Sequence, residues 1–262
     1  MPPDRLAFAI ETAHAGGDYA LGRFRDLDGL QIESKGHQDL VSDADRQTEL
    51  LVRAAIAEAF PDDGIVGEEH APVTGTTGYD WVIDPIDGTA NFVRGLPHWG
   101  CVIACTYKGL PVIGAIYDPN TGETYSVEKG GGAFLNGRRL QVAHVASLAD
   151  GSVGVGAAGR ADPERVAAIV RAVLLQKGLF FRSASGALML CYVAAGRLIG
   201  YIEDHMHAWD CLAGLLLISE AGGTHLALDP HTALPQGTRV IAGAPEIYPV
   251  LQEISDTIVA NS

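Results

Sequence analysis

The order of patterns along the chain predicts a layered α+β fold. Three observations carry that reading. Helix-spaced apolar residues run from Leu6 to Phe60, strand-like runs and hairpin turns follow from Trp81 to Val142, and the remainder alternates strand with helix. Residues 4–24 place Leu6, Ala9, Ile10 and Ala13 at helical spacing. The adjacent glycines Gly16-Gly17 are expected to interrupt that helix, because glycine weakens a helix interior. A second helix should begin near Ser42-Asp43, run through Leu50, Leu51, Ala54, Ile56 and Phe60, and stop at Pro61-Asp62-Asp63-Gly64.

Trp81-Val82-Ile83 reads as a buried strand, and Cys101–Tyr107 and Val112–Tyr117 as two more joined by a turn at Lys108-Gly109. Asn136-Gly137, between Ala133-Phe134 and Leu140-Val142, is a strong hairpin signal of the primed-turn type. Strands are then expected at 152–157, 179–182, Leu198–Glu203 and Val240–Ala242. Helices are expected at 162–177, 185–195, Cys211–Ala221 and 246–259.

Composition removes several function classes. With 262 residues the chain can bury a sizeable core as one large domain or two fused halves. Eighteen basic against 32 acidic residues give a net charge of −14, with no cluster of Lys and Arg, so a nucleic-acid partner is disfavoured. The same acidity suits a site that gathers divalent cations. No apolar run approaches the ~20 residues of a membrane helix, and Met1-Pro2-Pro3-Asp4-Arg5 does not follow the order of a secretory signal. A cytoplasmic protein without membrane attachment is expected. Cys101, Cys105, Cys191 and Cys211 lie in apolar stretches without metal-site spacing, as buried free thiols would.

The densest chemical signal is Trp81-Val82-Ile83-Asp84-Pro85-Ile86-Asp87-Gly88-Thr89-Ala90-Asn91-Phe92. An apolar strand delivers Asp84 to its end. Pro85 should break the ladder, leaving Ile86 to Thr89 as a loop. Asp84 and Asp87 can then converge on a hard cation such as magnesium, which takes oxygen ligands and keeps several waters. Gly88-Thr89 would open a helix whose N–H groups can receive a phosphate oxygen. As an ordinary turn the string would use Asp87 as a helix N-cap, but an Asp pair beside a phosphate cradle is costly without a metal. Gly67-Glu68-Glu69-His70 adds a second acidic pair, with His70 at the surface or behind a ligand. Asp210, in His207-Ala208-Trp209-Asp210, falls where a helix N-cap should be.

Together Gly67-Glu68-Glu69, the string from Trp81 to Phe92, and Trp209 to Gly223 resemble the inositol monophosphatase family, in order and over most of the chain. The resemblance implies stacked α-β-α-β-α layers of the sugar-phosphatase type in a single domain over 1–262. Its approximate halves would be a metal-site half, 1–145, and a substrate half, 146–262. It implies two to three magnesium ions, held by Glu68, Asp84, the Ile86 carbonyl, Asp87, Thr89 and Asp210. Glu68 thereby counts among the catalytic groups. Asp45 would work with Thr89 to activate a water, although by itself it is a good helix-start acid. Lithium sensitivity and a homodimer follow by the same likeness.

The substrate implied is a small-molecule phosphate ester, most of all myo-inositol monophosphate, contacted by Asp87, Gly88, Thr89, Ser185, Gly186, Glu203 and Asp210. Glu203, seven residues before Asp210, matches the family's polyol contact. Ala184-Ser185-Gly186-Ala187 departs from the usual Gly-Ser/Thr-Ala-Ala at the walls of the leaving-group pocket. The loop from Lys35 to Asp39 is one residue short of the usual pattern, which leaves Lys35 without an assigned role. Alternatives within the superfamily are fructose-1,6-bisphosphate, a nucleotide 3′-phosphate and histidinol phosphate. A non-catalytic regulatory binding protein is the alternative outside it.

Overall fold

Asp4 starts the first helix: its carboxylate accepts the Ala7 N–H at 2.8 Å, and α1 follows as Arg5–Phe24. The computed structural model describes residues 3–27, 30–36, 39–158 and 161–260. Contrary to expectation, α1 runs unbroken through Gly16-Gly17. The glycines lie on its buried face with Ala9, Ala13 and Ala20. A Cβ on Gly17 would sit 2.6 Å from the Tyr117 ring and one on Gly16 3.0 Å from Cys101 Sγ, so close packing outweighs the entropy that glycine costs.

A short antiparallel ribbon, β1 (Ile32–Gly36) and β2 (Asp39–Ser42), leads into α2 (Asp43–Ala59). Ser42 caps α2 and forms a capping box with Asp45. The large sheet comprises β3 (Gly64–Gly67), β4 (Tyr79–Asp87), β5 (Gly100–Tyr107), β6 (Leu110–Asp118), β7 (Glu123–Glu128), β8 (Gly132–Leu135) and β9 (Arg138–Arg139), in that spatial order. Only β3 and β4 are parallel. Turns at Lys108-Gly109 and Asn136-Gly137 have positive φ at both residues, as the hairpin reading requires. The expectation missed β7, whose buried Tyr125 and Val127 alternate with polar residues.

The smaller sheet is ordered β11 (Leu179–Phe181), β10 (Ser152–Val155), β12 (Gly200–Met206), β14 (Thr238–Gly243), β13 (Thr224–His225). The helices between are α3 (Thr89–Phe92), α4 (Pro163–Leu175), α5 (Gly186–Ala194), α6 (Ala208–Glu220), α7 (Ala233–Gln236) and α8 (Tyr248–Ala260).

Alternation of side chains assigns the layers. Trp81 and Ile83 face α1 and α2, in a cluster with Ala9, Ala13, Val52 and Ile56. Val82 faces the other way, against α5 and α6. In the smaller sheet Tyr201, Val240 and Ala242 join that central cluster, while Ile202 and Ile241 face Ile169 of α4 and Leu251 of α8. The stack is therefore α-β-α-β-α. Helix α6, buried from Cys211 to Ile218, is apolar on all sides because a sheet covers each face. Among the described residues no helix is long and apolar enough to cross a membrane.

Candidate active site

The carboxyl ends of β3 and β4 meet the amino ends of α5 and α6 at a cavity of about 1260 Å³. Contrary to expectation, Pro85 does not end the strand; β4 continues to Asp87 through an irregularity. The chain advances from Asp84 to Asp87 while its partner moves only from Val102 to Gly100. One extra residue reverses the alternation of a strand, and this bulge lets two acids three apart share a side. Pro85, which cannot donate to the ladder, occupies the bulge, where no donor is needed.

Asp84, Asp87 and Asp210 each offer a carboxylate oxygen within 4.8 Å of the others. Glu68 follows β3 and lines the same cavity, its N–H donating to the Ile83 carbonyl at 3.3 Å. Asp210 is not the cap of α6. His207 is the N-cap, and Asp210 sits in the first turn, accepting the His207 N–H at 3.1 Å. One of its oxygens serves that capping box, which fixes the carboxylate's direction.

Burial first, then the charges of Glu68, Asp87, Asp210 and Asp45, holds the Asp84 carboxyl well above the ordinary carboxylate range. Asp87 is pushed up to about 6 by burial, against the lowering effect of bonds from Ser185 and the amides of Ala187, Gly186 and Leu188. The Ser185 hydroxyl and the N–H groups of Gly186 (3.2 Å) and Ala187 (2.8 Å) donate to Asp87, so the start of α5 grips this acid. Ser185 is wholly buried. Its hydroxyl is committed to Asp87, and of the expected pair of substrate contacts only Gly186 lines the cavity.

Thr89 Oγ1 lies 2.9 Å from Asp45 Oδ1 and 3.2 Å from the Ile86 carbonyl. Asp45 is buried behind it, its other oxygen accepting from Ser42 N and Oγ at 2.9 and 2.5 Å. Burial lifts the Asp45 carboxyl to about 6, although the bonds from Ser42 and Thr89 pull it down. Gly88, at φ 103°, is the N-cap of α3, the place an ordinary turn would have given Asp87. A Cβ there would approach the His98 carbonyl to 2.9 Å. Helix geometry leaves the N–H groups of Thr89 and Ala90 without intrahelical acceptors at the cavity wall.

Glu203 lines the cavity from β12 and is buried. It accepts the Tyr201 hydroxyl at 2.6 Å and the Ala158 N–H at 3.1 Å. Its neighbour Asp204 turns away to Arg165 at 3.5 Å. Sequence reasoning did not single out Tyr201, although it stands two residues before Glu203 and so shares its face. Nor did it single out Arg94 and Arg182, which line the cavity as its two arginines among the described residues. His70 packs beside Glu49 rather than in the cavity. His37 and Gln38, in the loop after Lys35, lie outside the described residues, as does the Lys35 side chain. All four cysteines are free and buried, and burial raises Cys101 and Cys105 to about 12.

Carboxylates, a peptide carbonyl and a hydroxyl make an all-oxygen donor set, which suits a hard divalent cation. The raised carboxyl of Asp84 points the same way, since a bound cation would relieve that crowding of charge.

Comparison with known proteins agrees with this geometry. The family model described as inositol monophosphatase family matches residues 3–260. A Rhizobium meliloti protein named inositol-1-monophosphatase is 38% identical over 252 residues, covering 95% of each chain. A Vibrio cholerae protein named Nus factor SuhB is 32% identical over 256 residues, covering 96% of each. The crystal structure of extragenic suppressor protein suhB from Bartonella henselae superposes with a TM-score of 0.89 at 30% identity, covering 96% of this chain and 98% of that one. The chain belongs to the inositol monophosphatase family, a family of metal-dependent phosphatases.

Proposed function

We propose that the protein hydrolyses a small polyol phosphate monoester, with myo-inositol monophosphate as the favoured substrate, to the alcohol and inorganic phosphate. The observation that carries this reading is the convergence of Asp84, Asp87 and Asp210 on a cavity that Thr89 and Glu203 also line. Glu68, Asp84, the Ile86 carbonyl, Asp87, Thr89 and Asp210 would hold two to three magnesium ions. Magnesium in such a site lowers the pKa of water and neutralises phosphoryl oxygens.

The chain's own groups divide the remaining work. Asp45, at about 6, suits a general base near neutral pH. It already accepts the Thr89 hydroxyl proton, so Thr89 can pass a proton inward while receiving one from the attacking water. The start of α3 offers N–H groups to the phosphate. Asp87 and Asp210, held by α5 and by the His207 N–H, are aimed before any substrate arrives. Glu203 would accept a polyol hydroxyl. Attack by water fits the side chains present: the Ser185 hydroxyl is committed to Asp87 and the cysteines are buried and raised.

A panel of phosphate esters with released phosphate as readout tests the reading. Inositol monophosphates should give the highest kcat/KM, ahead of fructose-1,6-bisphosphate, nucleotide 3′-phosphates and histidinol phosphate. Lithium should inhibit, chelation should abolish turnover, and magnesium should restore it. Full turnover in excess chelator would end the metal-dependent reading. Molar mass in solution should be that of a homodimer, and the protein should fractionate with the cytoplasm.

The name Nus factor SuhB of the Vibrio relative favours a regulatory binding role as the second reading. A deletion phenotype rescued as well by Asp84→Asn as by the parent chain would support it over the enzymatic one.

A further inference from the structure

Glu49 is wholly buried in α2, and no step above uses it. Its carboxylate accepts the backbone N–H of Glu69 at 2.7 Å and of His70 at 3.2 Å. Arg53, one turn later, donates its Nε to Glu49 at 2.6 Å and reaches the His70 carbonyl at 3.0 Å. The turn just after Glu68 is thus held by its N–H groups and by a carbonyl, from a single helix. Gly67 completes the contact: a Cβ there would lie 2.2 Å from Glu49 Oε1. Asp45 and Glu49 are four residues apart and share a helix face. The same face therefore fixes Thr89 through Asp45 and the Glu68 turn through Glu49.

We infer that Glu49 is a positioning residue that sets Glu68 against the Asp84–Asp87–Asp210 cluster and so tunes the cation affinity of the site. The inference rests on the metal-dependent reading above. An ion pair that only stitched α2 to itself would need Arg53 and solvent; it would not spend its carboxylate on two amides of another segment. Partners that orient metal-binding groups typically alter affinity or activity about 10–100-fold when replaced. Glutamine is the revealing replacement. Its one oxygen can serve either Arg53 with the His70 N–H or the Glu69 N–H, and its NH2 then faces a donor.

The test is calorimetric titration of the metal-free protein with magnesium, comparing wild type, Glu49→Gln and Asp84→Asn, beside the magnesium dependence of turnover. Glu49→Gln should weaken magnesium binding about tenfold to a hundredfold and raise the half-activating magnesium concentration equally. Its kcat at saturating magnesium should stay within about threefold of wild type. Gly67→Ala should show the same split, and adding it to Glu49→Ala should cost nothing further, because the clash is then gone. A measurement without substitution accompanies these. In the metal-free wild type the amides of Glu69 and His70 should resist hydrogen exchange although they lie outside any strand. Rapid exchange there, or wild-type affinity in Glu49→Gln, would overturn the positioning role. Wild-type magnesium affinity in Asp84→Asn would instead sink the metal-dependent reading on which it rests.

Discussion

The two ends of the parallel pair β3 and β4 bury acids in opposite ways. At the amino end Asp63 is nearly inaccessible, yet it accepts from Arg5 at 2.6 Å, Thr77 at 2.7 Å and Trp81 Nε1 at 3.0 Å. The Arg5 guanidinium lies over the rings of Tyr79 and Phe60 at 4.1 and 4.3 Å. At the carboxyl end Asp84 is as deeply buried and accepts the Ile86 N–H at 3.0 Å, but the charged groups around it are acids and it has no ion pair among the described residues. A buried charge is stable when paired and costly when crowded by like charge. The amino end is a finished structural pair. The carboxyl end stores electrostatic repulsion that a cation can relieve, and that difference, rather than burial, marks the site.

Exchanging the two acids for their amides breaks the comparison most sharply. Asp84→Asn should lower turnover by about a thousandfold or more, while the metal-free melting temperature holds or rises. Asp63→Asn should do the reverse. It leaves Arg5 without its charge partner, at a cost of about 3 kcal/mol, while the folded fraction keeps its kcat. Phosphate release and thermal melts on the same preparations measure both. An active Asp84→Asn variant, or an inactive but stable Asp63→Asn variant, would show that the assignment of the two ends is reversed.

The carboxyl end should also reveal itself in the pH dependence of the metal-free protein. Asp45 and Asp87 stand at about 6 in the fold, above an ordinary value of 3.8. The folded state then binds more protons than the unfolded state between those values, so stability falls as pH rises through that window. The change is on the order of 3 kcal/mol for a shift of that size. Melts in chelator should accordingly be higher at pH 5 than at pH 7.5, and saturating magnesium should flatten the difference. A metal-free melting temperature that climbs from pH 5 to 7.5 would contradict the raised, buried carboxyls of Asp45 and Asp87.

The other sheet contributes Glu203 to the same cavity, and its effect should be confined to the alcohol. Glu203→Gln loses a charge-assisted acceptor worth roughly 1.5–3 kcal/mol, so inositol phosphate turnover should fall about tenfold to a hundredfold. A simple aryl phosphate should lose much less. Equal losses on both substrates would mean that Glu203, through Tyr201 and Ala158, supports the cavity wall instead.

Most of the layering was legible because burial writes period into sequence. Trp81-Val82-Ile83 splits between two cores, and the uniformly apolar stretch from Cys211 to Ile218 signals a helix covered on both sides. The acids of the cavity were legible as residue types, but not their supports. Pro85 reads as a strand breaker, and only the pairing of Asp87 with Gly100 reveals a bulge that turns two acids together. Ser185 reads as a substrate contact until its burial assigns it to Asp87. Of Glu49 the sequence shows only a Glu-to-Arg53 pair one helical turn apart; its hold on the Glu69 and His70 N–H groups leaves no trace, since nearly every residue offers such a group.

The smallest effect sharpens the contrast by testing the packed side of the molecule. Helix α1 carries Gly17 on its buried face and Gly22 in open space, and sequence pattern gives both the same helix penalty. The neighbours differ. A Cβ on Gly17 would meet Tyr117 Cδ1 at 2.6 Å, whereas one on Gly22 meets nothing within 4 Å. Gly22→Ala should therefore stabilise by about 0.5–1 kcal/mol through the entropy of the unfolded chain. Gly17→Ala gains the same entropy but forces Tyr117 aside, disturbing its stacking on His14 and its bond to Asp18 at 3.2 Å. Overpacking of that kind costs about 1–3 kcal/mol, so the net sign should reverse. Neither change should alter the magnesium requirement, since neither glycine lines the cavity. Two stabilising alanines would mean that α1 stands further from β6 than its glycines imply.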